Sequence, residues 1–327
     1  MKTGSITVLA GPSGTGKSSL PILYAGALAG EDVHEGRSNC LMVNVNPSWM
    51  DFRDLVGHLN TLEGRFYPAE SGLFQRLVYA WEEYRARRSE TGLYLTCLDE
   101  MNLSQVEHYF GDLMMSLERE GDQRRIQCFS PDGASPACSF REWSTLNLSP
   151  SLRFVGTVNF DETTRLLSDR FLDRANLIQL RAGVLPGALV SQGGPPAGSE
   201  GRLITLSDFE SWQRNTGLLS DLATLLDGMR PLLQRLGCPI SPRTYRGICR
   251  FVGSAEPLLP SARAFDLQVA QRLLPRIRNL ISSRQLDALD QLRRLLSGSS
   301  ACDFDETLPL LEEIKELVAG DDWSDGD

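Results

Sequence analysis

The stretch SITVLAGPSGTGKSS, residues 5–19, decides the fold. Its first part, residues 5–10, is an apolar run rich in β-branched side chains, which predicts a buried strand. The pattern Gly11-x-x-x-x-Gly16-Lys17-Ser18 follows, and the apolar run LPILYAGALAG after it predicts a helix. A strand, a glycine-rich loop and a helix in this order are typical of a site that holds the phosphates of a nucleotide.

The residue types of the loop indicate its chemistry. Glycines let backbone N–H groups turn inward around a phosphate without a Cβ clash, and the helix adds the positive end of its dipole. Lys17 is expected to reach the β- and γ-phosphates, and the Ser18 hydroxyl is expected to ligate Mg²⁺. The predicted nucleotide-binding residues are Gly11, Pro12, Ser13, Gly14, Thr15, Gly16, Lys17, Ser18 and Ser19.

Further strands and helices alternate along the first half of the chain. Strands are predicted over 40–45, 93–98, 152–158 and 176–180, and helices over 72–88 and 104–119. This alternation predicts an α/β fold in which helices cover both faces of a parallel sheet. Two inserted β-hairpins are predicted, one near 61–68 and one over 124–140, where SPDGASP forms the turn.

The second half of the chain has a different pattern. Residues 185–202 contain eight Gly or Pro, which predicts a flexible linker. Beyond it, Ser241 and Pro242 are predicted to begin a helix, and Pro275 is expected to kink or divide another. The predicted organisation is a nucleotide-binding αβα domain over 1–184, a linker over 185–205, a smaller all-helical lid domain over 206–302 and a disordered acidic tail over 303–327.

Polar residues directly follow two of the predicted strands. Asp99 and Glu100 follow the strand over 93–98, and Asn159 follows the strand over 152–158. A carboxylate at the end of a buried strand beside the phosphate loop suits Mg²⁺, so we predict that Asp99 binds the metal. Glu100 is predicted to polarise an attacking water as a general base, and Asn159 to orient that water or contact the γ-phosphate. A helix cap or a turn is the alternative role for these residues.

Arginines are the other candidates for contact with phosphate. Arg165, Arg170 and Arg174 share one predicted helix before the last strand. They form a solvated face, or they project a guanidinium into the nucleotide of a neighbouring subunit. Arg243 lies in the first turn of the helix that Ser241 begins, where a positive charge opposes the helix dipole. This local cost favours contact with a phosphate, and a plain surface position is the alternative.

Composition excludes several classes of protein. The 327 residues contain no apolar run long enough to span a membrane, and the N-terminus lacks the apolar core of a signal peptide. The net charge of −9 resides in residues 303–327, so the body is neutral and does not resemble a protein that coats nucleic acid. Seven scattered cysteines argue for reduced thiols in the cytoplasm and against a zinc site or a disulfide scaffold.

Together these motifs resemble those of the AAA+ ATPases, P-loop NTPases with an αβα domain and a helical lid, over residues 5–295. The resemblance implies that Lys17 is the Walker A lysine, that Asp99 and Glu100 form Walker B, and that Asn159 is sensor 1. It also implies that Arg174 is the arginine finger, with Arg170 as its competitor, and that Arg243 is sensor 2.

Details of the sequence resemble the dynein-related and McrB-like group of this family. Asp99-Glu-Met-Asn102-Leu and Val155-Gly-Thr-Val-Asn159 are similar to two motifs of that group, and the run from Pro47-Ser-Trp49 to Gly57 fits it as well. The resemblance implies a Mg²⁺-dependent motor that hydrolyses ATP, or alternatively GTP, and forms a ring expected to be hexameric. It further implies a role in nucleic-acid restriction or anti-phage defence with a nuclease partner.

The sequence departs from McrB at two points. Phe160-Asp-Glu-Thr-Thr follows Asn159 where McrB has Thr-Ala-Asp-Arg-Ser, which leaves both ATP and GTP open. The phosphate loop begins at residue 11, which fits the motor portion of a longer protein whose upstream domain recognises the target. The alternatives are a MoxR-like protein-remodelling chaperone and a nucleotide-gated switch or scaffold with little turnover. Pore-hairpin residues that thread nucleic acid would distinguish them, and the candidates are Arg124, Arg125, Phe129, Phe140 and Arg141.

Overall fold

The computed structural model describes residues 6–29, 39–159, 167–181, 203–214, 216–280 and 285–321. The chain divides into two compact units. The first comprises Ser5–Leu167 and Ile178–Glu210, and the second comprises Ser168–Leu177 and Ser211–Asp327. The short segment Ser168–Leu177 therefore groups with the second unit, although its last two residues begin the last strand of the sheet in sequence. Most of the linker predicted over 185–205, together with residues 160–166, lies outside the described residues.

The first unit is built on a five-stranded sheet with the order β2-β5-β8-β1-β9, and the α/β prediction is confirmed. The strands of this sheet are β1 (Ile6–Ala10), β2 (Cys40–Asn44), β5 (Tyr94–Asp99), β8 (Leu152–Val158) and β9 (Asn176–Gln179). The pairs β1–β8, β8–β5 and β5–β2 are parallel. Because β2 and β9 lie on opposite sides of β1, the chain changes direction at β1, which is where open α/β sheets bind ligands.

The sheet is buried on both faces. Every residue of β1 and β8 is buried, as expected for central strands of a parallel sheet. Successive residues of a strand point to opposite faces, so Phe154 and Val155 mark the two sides. Val155 belongs to an apolar cluster with Ala25 of helix α1 (Ser19–Ala29), and Phe154 packs edge-on against Phe110 of helix α4 (Val106–Leu117).

The remaining described α-helices of the first unit are two short ones and one long one, and its remaining strands form two hairpins. The helices are α2 (Phe52–Val56), α3 (Leu73–Arg87) and α6 (Leu206–Ser211), and the hairpin strands are β3 (Gly57–Asn60), β4 (Arg65–Pro68), β6 (Arg125–Gln127) and β7 (Thr145–Asn147).

Both hairpins exist, but their predicted boundaries were wrong. The first begins four residues earlier than predicted, because Gly57–Asn60 pairs with Arg65–Pro68. In the second, the partner of Arg125–Gln127 is Thr145–Asn147 rather than the predicted run that ends at Phe140. The Phe140 ring instead packs edge-on against Phe66 and Phe74, so Phe140 belongs to an aromatic cluster and not to a strand of the hairpin.

The second unit is helical in the residues that the structure describes beyond the sheet. Its helices are α5 (Asp169–Leu172), α7 (Ser220–Arg235), α8 (Pro242–Ala255), α9 (Ser261–Gln268), α10 (Leu274–Leu280), α11 (Leu286–Ser297) and α12 (Thr307–Asp321). The predicted start of α8 is confirmed, since the Ser241 side chain accepts the backbone N–H of Thr244 and Pro242 is the first helical residue. A π-helical turn, Val269–Leu273, divides α9 from α10 just before Pro275.

The prediction of a disordered tail from residue 303 was wrong for residues 307–321, which form α12. Leu311 and Ile314 are buried in the apolar core of the second unit. The carboxylate of Asp266 accepts the backbone N–H groups of Glu306 and Thr307, at 2.9 and 3.0 Å, and so caps the start of this helix. The acidic composition misled the prediction, because Glu313 and Glu316 lie on the exposed face of this helix.

All seven cysteines are buried free thiols that form no disulfide. Among the helices of the residues that the structure describes, none combines the length and the apolar character needed to cross a membrane.

Candidate active site

The glycine-rich loop follows β1 at the carboxyl edge of the sheet and leads into α1. Gly14 and Gly16 both adopt φ of +80°, a left-handed conformation that side chains with a Cβ rarely tolerate. Gly11 has a different constraint, because a Cβ there would collide with the carbonyl oxygen of Leu180. The glycines are therefore required by backbone shape at three separate points of the loop.

Lys17 lies inside the loop rather than in solvent. Its side chain is only 7% exposed, and its ammonium group donates to the carbonyl oxygens of Gly11 and Pro12 at 2.8 and 2.6 Å. Burial of an ammonium group is costly unless it is hydrogen-bonded, and these two carbonyls meet that need. The arrangement holds a positive charge against the loop in which a phosphate would bind.

The structure brings Ser18 and Asp99 together across 81 residues of sequence. The Ser18 hydroxyl donates to Oδ1 of Asp99 at 2.7 Å. A hydroxyl and a carboxylate are oxygen ligands of the kind that Mg²⁺ prefers, so the donor set fits this metal. Within the described ranges no group of three or more His, Cys, Asp or Glu side chains could hold a metal ion. Because Mg²⁺ is usually bound through one or two protein oxygens together with phosphate and water, Ser18 and Asp99 suit a Mg²⁺ ion beside the phosphates of a nucleotide.

Thr157 is a site residue that the sequence analysis missed. Its hydroxyl donates to Oδ1 of Asp99 at 2.6 Å and accepts the backbone N–H of Glu100 at 2.8 Å. It thereby fixes both residues of the Asp99-Glu100 pair from the neighbouring strand. A threonine in the middle of a buried apolar strand was the available signal, because a buried hydroxyl needs a polar partner.

Replacing Thr157 by valine is expected to lower the free energy of unfolding by about 1–3 kcal/mol, because Asp99 loses one of its hydrogen bonds and the backbone N–H of Glu100 loses its acceptor. The variant is also expected to need several-fold more Mg²⁺ for half-maximal nucleotide binding, because Asp99 loses its support. Urea unfolding and a Mg²⁺ titration measure the two effects. Thr157→Ser retains the hydroxyl and is the matched control. A Thr157→Val protein with an unchanged Mg²⁺ requirement would contradict the role.

Glu100 has a strained backbone. Its φ and ψ are 52° and 46°, a left-handed conformation that is uncommon for residues other than glycine and that clusters at functional sites. The side-chain amide of Asn159 donates to Oε1 of Glu100 at 3.0 Å. The amide of Asn102 in turn donates to the backbone oxygen of Asn159 at 3.0 Å. Three predicted motif residues thus meet at one point beside the end of β5.

Met101, the residue after Glu100, is held in place by packing against β8 and by a hydrogen bond. A Cβ at Gly156 would collide with the Met101 sulfur, so this glycine admits Met101 against β8. The Tyr109 hydroxyl donates to the backbone oxygen of Met101 at 2.8 Å, and burial raises the pKa of this tyrosine above its ordinary value. Trp49 packs edge-on against Tyr109 at 5.3 Å, which gives the Pro47-Ser-Trp49 motif a positioning role.

Arg170, Arg174 and Arg243 belong to the second unit. Helix α5 contains Arg170, which is exposed, but it ends at Leu172, so the prediction that Arg174 shares this helix was wrong. Arg165 lies outside the described residues. Arg174 follows α5, and its guanidinium donates to the backbone oxygen of Arg170 at 2.7 Å. Arg243 lies 3.5 Å from the carboxylate of Asp173.

Four of the five hairpin candidates make internal contacts, and one of these is the hydrogen bond that the Arg141 guanidinium donates to the backbone oxygen of Ala134. The Arg124 guanidinium donates to the backbone oxygens of Leu117 and Leu148, at 2.7 and 3.2 Å. Phe129 stacks on Phe66 within the aromatic cluster that also contains Phe140. Arg125 and Arg141 are the two exposed candidates.

Comparisons with known proteins find a family model and solved structures that are similar to this chain. A family model described as "Domain of unknown function (DUF8727)" matches residues 197–322. The chain is also similar to the crystal structure of a proposed ATPase from Cytophaga hutchinsonii, with 13% sequence identity and a TM-score of 0.49, over 90% of this chain and 85% of that chain. No curated protein is significantly similar to the chain. Neither match assigns an activity to this chain.

Proposed function

We propose that this chain is a Mg²⁺-dependent nucleoside-triphosphate hydrolase of the AAA+ type, with ATP, or alternatively GTP, as its substrate. The observation that carries the proposal is the position of Asp99. Its Oδ1 accepts hydrogen bonds from Ser18 of the glycine-rich loop and from Thr157. The next residue, Glu100, is held by Asn159, so a metal-binding pair and a base–amide pair adjoin one another.

Binding of the nucleotide is assigned to the loop. Lys17 and the backbone N–H groups around it orient the β- and γ-phosphates, as glycine-rich loops before a helix do. Ser18 and Asp99 would hold Mg²⁺, which supplies neutralisation of the charge that develops on the phosphates. Before a nucleotide binds, the carbonyls of Gly11 and Pro12 keep the Lys17 ammonium group at the loop.

Hydrolysis is assigned to Glu100 as general base. A water attacks the γ-phosphorus, its proton passes to the Glu100 carboxylate, and the bond from the γ-phosphorus to the bridging oxygen breaks, which yields a nucleoside diphosphate and inorganic phosphate. The amide of Asn159 fixes one oxygen of that carboxylate and thereby its direction. Arg174 of a neighbouring subunit, with Arg170 as its competitor, and Arg243 of the same subunit are proposed to stabilise the γ-phosphate charge.

The wider role rests on the motif resemblance. We propose a ring, expected to be hexameric, that acts in the cytoplasm in nucleic-acid restriction or anti-phage defence with a nuclease partner. The seven free thiols support the cytoplasm as the compartment, because disulfides are rare there. Nucleic acid would bind through the hairpins. Because Arg124, Phe129 and Phe140 make internal contacts, MoxR-like protein remodelling is the second candidate.

The test is turnover per subunit with Mg-ATP and with Mg-GTP over an approximately hundredfold range of protein concentration. We expect turnover that rises cooperatively with concentration, because a finger supplied by a neighbour makes the active site shared. The preferred nucleotide distinguishes ATP from GTP use. Negligible turnover with both nucleotides at every concentration would contradict the proposed hydrolase and favour a nucleotide-gated switch.

A further inference from the structure

Asp173 is a half-buried carboxylate that neither the motifs nor the proposed mechanism uses. It lies one residue before Arg174 and faces the start of helix α8. The Thr244 hydroxyl donates to its Oδ1 at 2.7 Å, and the Ser241 hydroxyl donates to the same oxygen at 3.1 Å. Two guanidinium groups complete the contacts, with Arg276 at 3.5 Å from Oδ1 and Arg243 at 3.5 Å from Oδ2.

The charge on this carboxylate is required by its surroundings. Burial raises the pKa of Asp173, but the two hydroxyls and the guanidiniums of Arg276 and Arg243 outweigh it and leave the pKa below its ordinary value. Arg276 is only 7% exposed, and a buried guanidinium without a counter-ion is strongly destabilising. Asp173 is therefore ionised near neutral pH and is the counter-ion of a cationic cluster.

The segment around Asp173 is also anchored at its start. Ser168 caps helix α5 by accepting the backbone N–H of Phe171, and Phe171 is fully buried. Arg174 returns a hydrogen bond to the backbone oxygen of Arg170. The segment Ser168–Leu177 thus has a defined conformation within the helical unit. Its Asp173 carboxylate connects it to the start of α8 through polar contacts.

We propose that Asp173 is a positioning residue that fixes the Arg174 segment and Arg243 to one another, so that the helical unit carries both arginines as one rigid piece. The proposal rests on the proposed function, in which Arg243 contacts the nucleotide of its own subunit and Arg174 contacts that of a neighbour. A shift of Arg243 on nucleotide binding would then move Arg174, and one active site would be coupled to the next.

The closing experiment compares Asp173→Asn with the wild-type full chain. Asparagine keeps an oxygen that accepts from Ser241 and Thr244 but removes the charge that holds Arg243 and Arg276. We expect kcat to fall by up to about 10²-fold, the cost of misplacing a catalytic group by about 1 Å. The Kd of a fluorescent ATP analogue should stay within about threefold, because Lys17 and Ser18 are intact. Coupled sites would give the wild type a sigmoidal dependence of turnover on ATP concentration, and this dependence should become hyperbolic in Asp173→Asn.

Controls separate positioning from a loss of fold. Asp227→Asn removes an exposed carboxylate that pairs with Arg230 in the same unit, and it should leave kcat and cooperativity unchanged. Asp173→Glu restores the charge and should regain part of kcat. If Asp173→Asn does not fold, Thr244→Val removes a single hydrogen bond to the carboxylate and should shift kcat in the same direction by a smaller factor.

The outcomes distinguish the two proposals. An active wild-type ring combined with a folded Asp173→Asn variant of unchanged kcat and cooperativity overturns the positioning role alone. A parallel loss of nucleotide binding and folding in Asp173→Asn, without recovery in Asp173→Glu and without an effect of Thr244→Val, also overturns it. Absence of turnover in the wild type overturns the proposed hydrolase, and the positioning role with it.

Discussion

Replacing Glu100 by glutamine is expected to lower turnover by about 10²- to 10⁴-fold, the usual contribution of a general base, and to leave nucleotide binding nearly unchanged. Glutamine keeps the oxygen that accepts the amide of Asn159 but cannot take the proton of the attacking water. The left-handed backbone at this position is equally strained for both residues, so the fold should persist. Phosphate release measures turnover, and a fluorescent nucleotide analogue measures binding.

The matched control for this substitution is Glu82→Gln. Glu82 is an exposed carboxylate on helix α3 that pairs with Arg85, so its loss should not affect hydrolysis. If the Glu100→Gln protein hydrolysed nucleotide at the wild-type rate, Glu100 would have no role as the base. If it lost nucleotide binding as well, its role would be structural.

Replacing Arg174 by alanine is expected to lower turnover by about 10³- to 10⁵-fold, which is the usual contribution of an arginine finger to kcat in phosphoryl transfer. Mixing these subunits with Lys17→Ala subunits is expected to restore part of the activity. The Lys17→Ala subunits cannot hold phosphate, but they carry an intact Arg174 next to the competent site of their neighbour. The measurement is phosphate release as a function of the mixing ratio, with each variant alone as the baseline.

Two further variants sharpen this test. Arg170→Ala asks whether the competing arginine is the finger, and only one of the two substitutions should show recovery on mixing. Arg230→Ala removes an exposed arginine of the same unit, paired with Asp227, and should have no effect. Activity that is lost in Arg174→Ala and does not return at any mixing ratio would contradict action across subunits.

Local patterns in the sequence predicted the sheet well. The five strands were placed to within about a residue at each end, because continuous apolar runs bounded by glycine or polar residues mark buried strands. Ser18 and Asp99 were both named from motifs, although their 2.7 Å contact depends on the parallel order of β1, β8 and β5. Order of strands is a property of the whole sheet, and no local pattern encodes it.

Residues whose role depends on long-range contacts were missed. Thr157 reads as one more β-branched residue of a strand, and only the neighbouring β5 shows that its hydroxyl holds Asp99 and Glu100. Phe140 was placed in a hairpin strand because it is apolar, whereas its ring fills an aromatic cluster. Helix α12 was missed because its acidic side chains concealed the buried pair Leu311 and Ile314.

The grouping of Ser168–Leu177 with the helical unit has a consequence for how the chain folds during synthesis and for where it can be truncated. This segment ends with the first two residues of β9, yet its partners Ser241, Thr244 and Arg276 are synthesised later. During translation the edge of the sheet therefore emerges before the groups that neutralise Asp173 exist. A fragment that ends at residue 210 would carry that carboxylate and the apolar Phe171 without their permanent neighbours, so the nucleotide-binding half is not a self-contained piece of the protein.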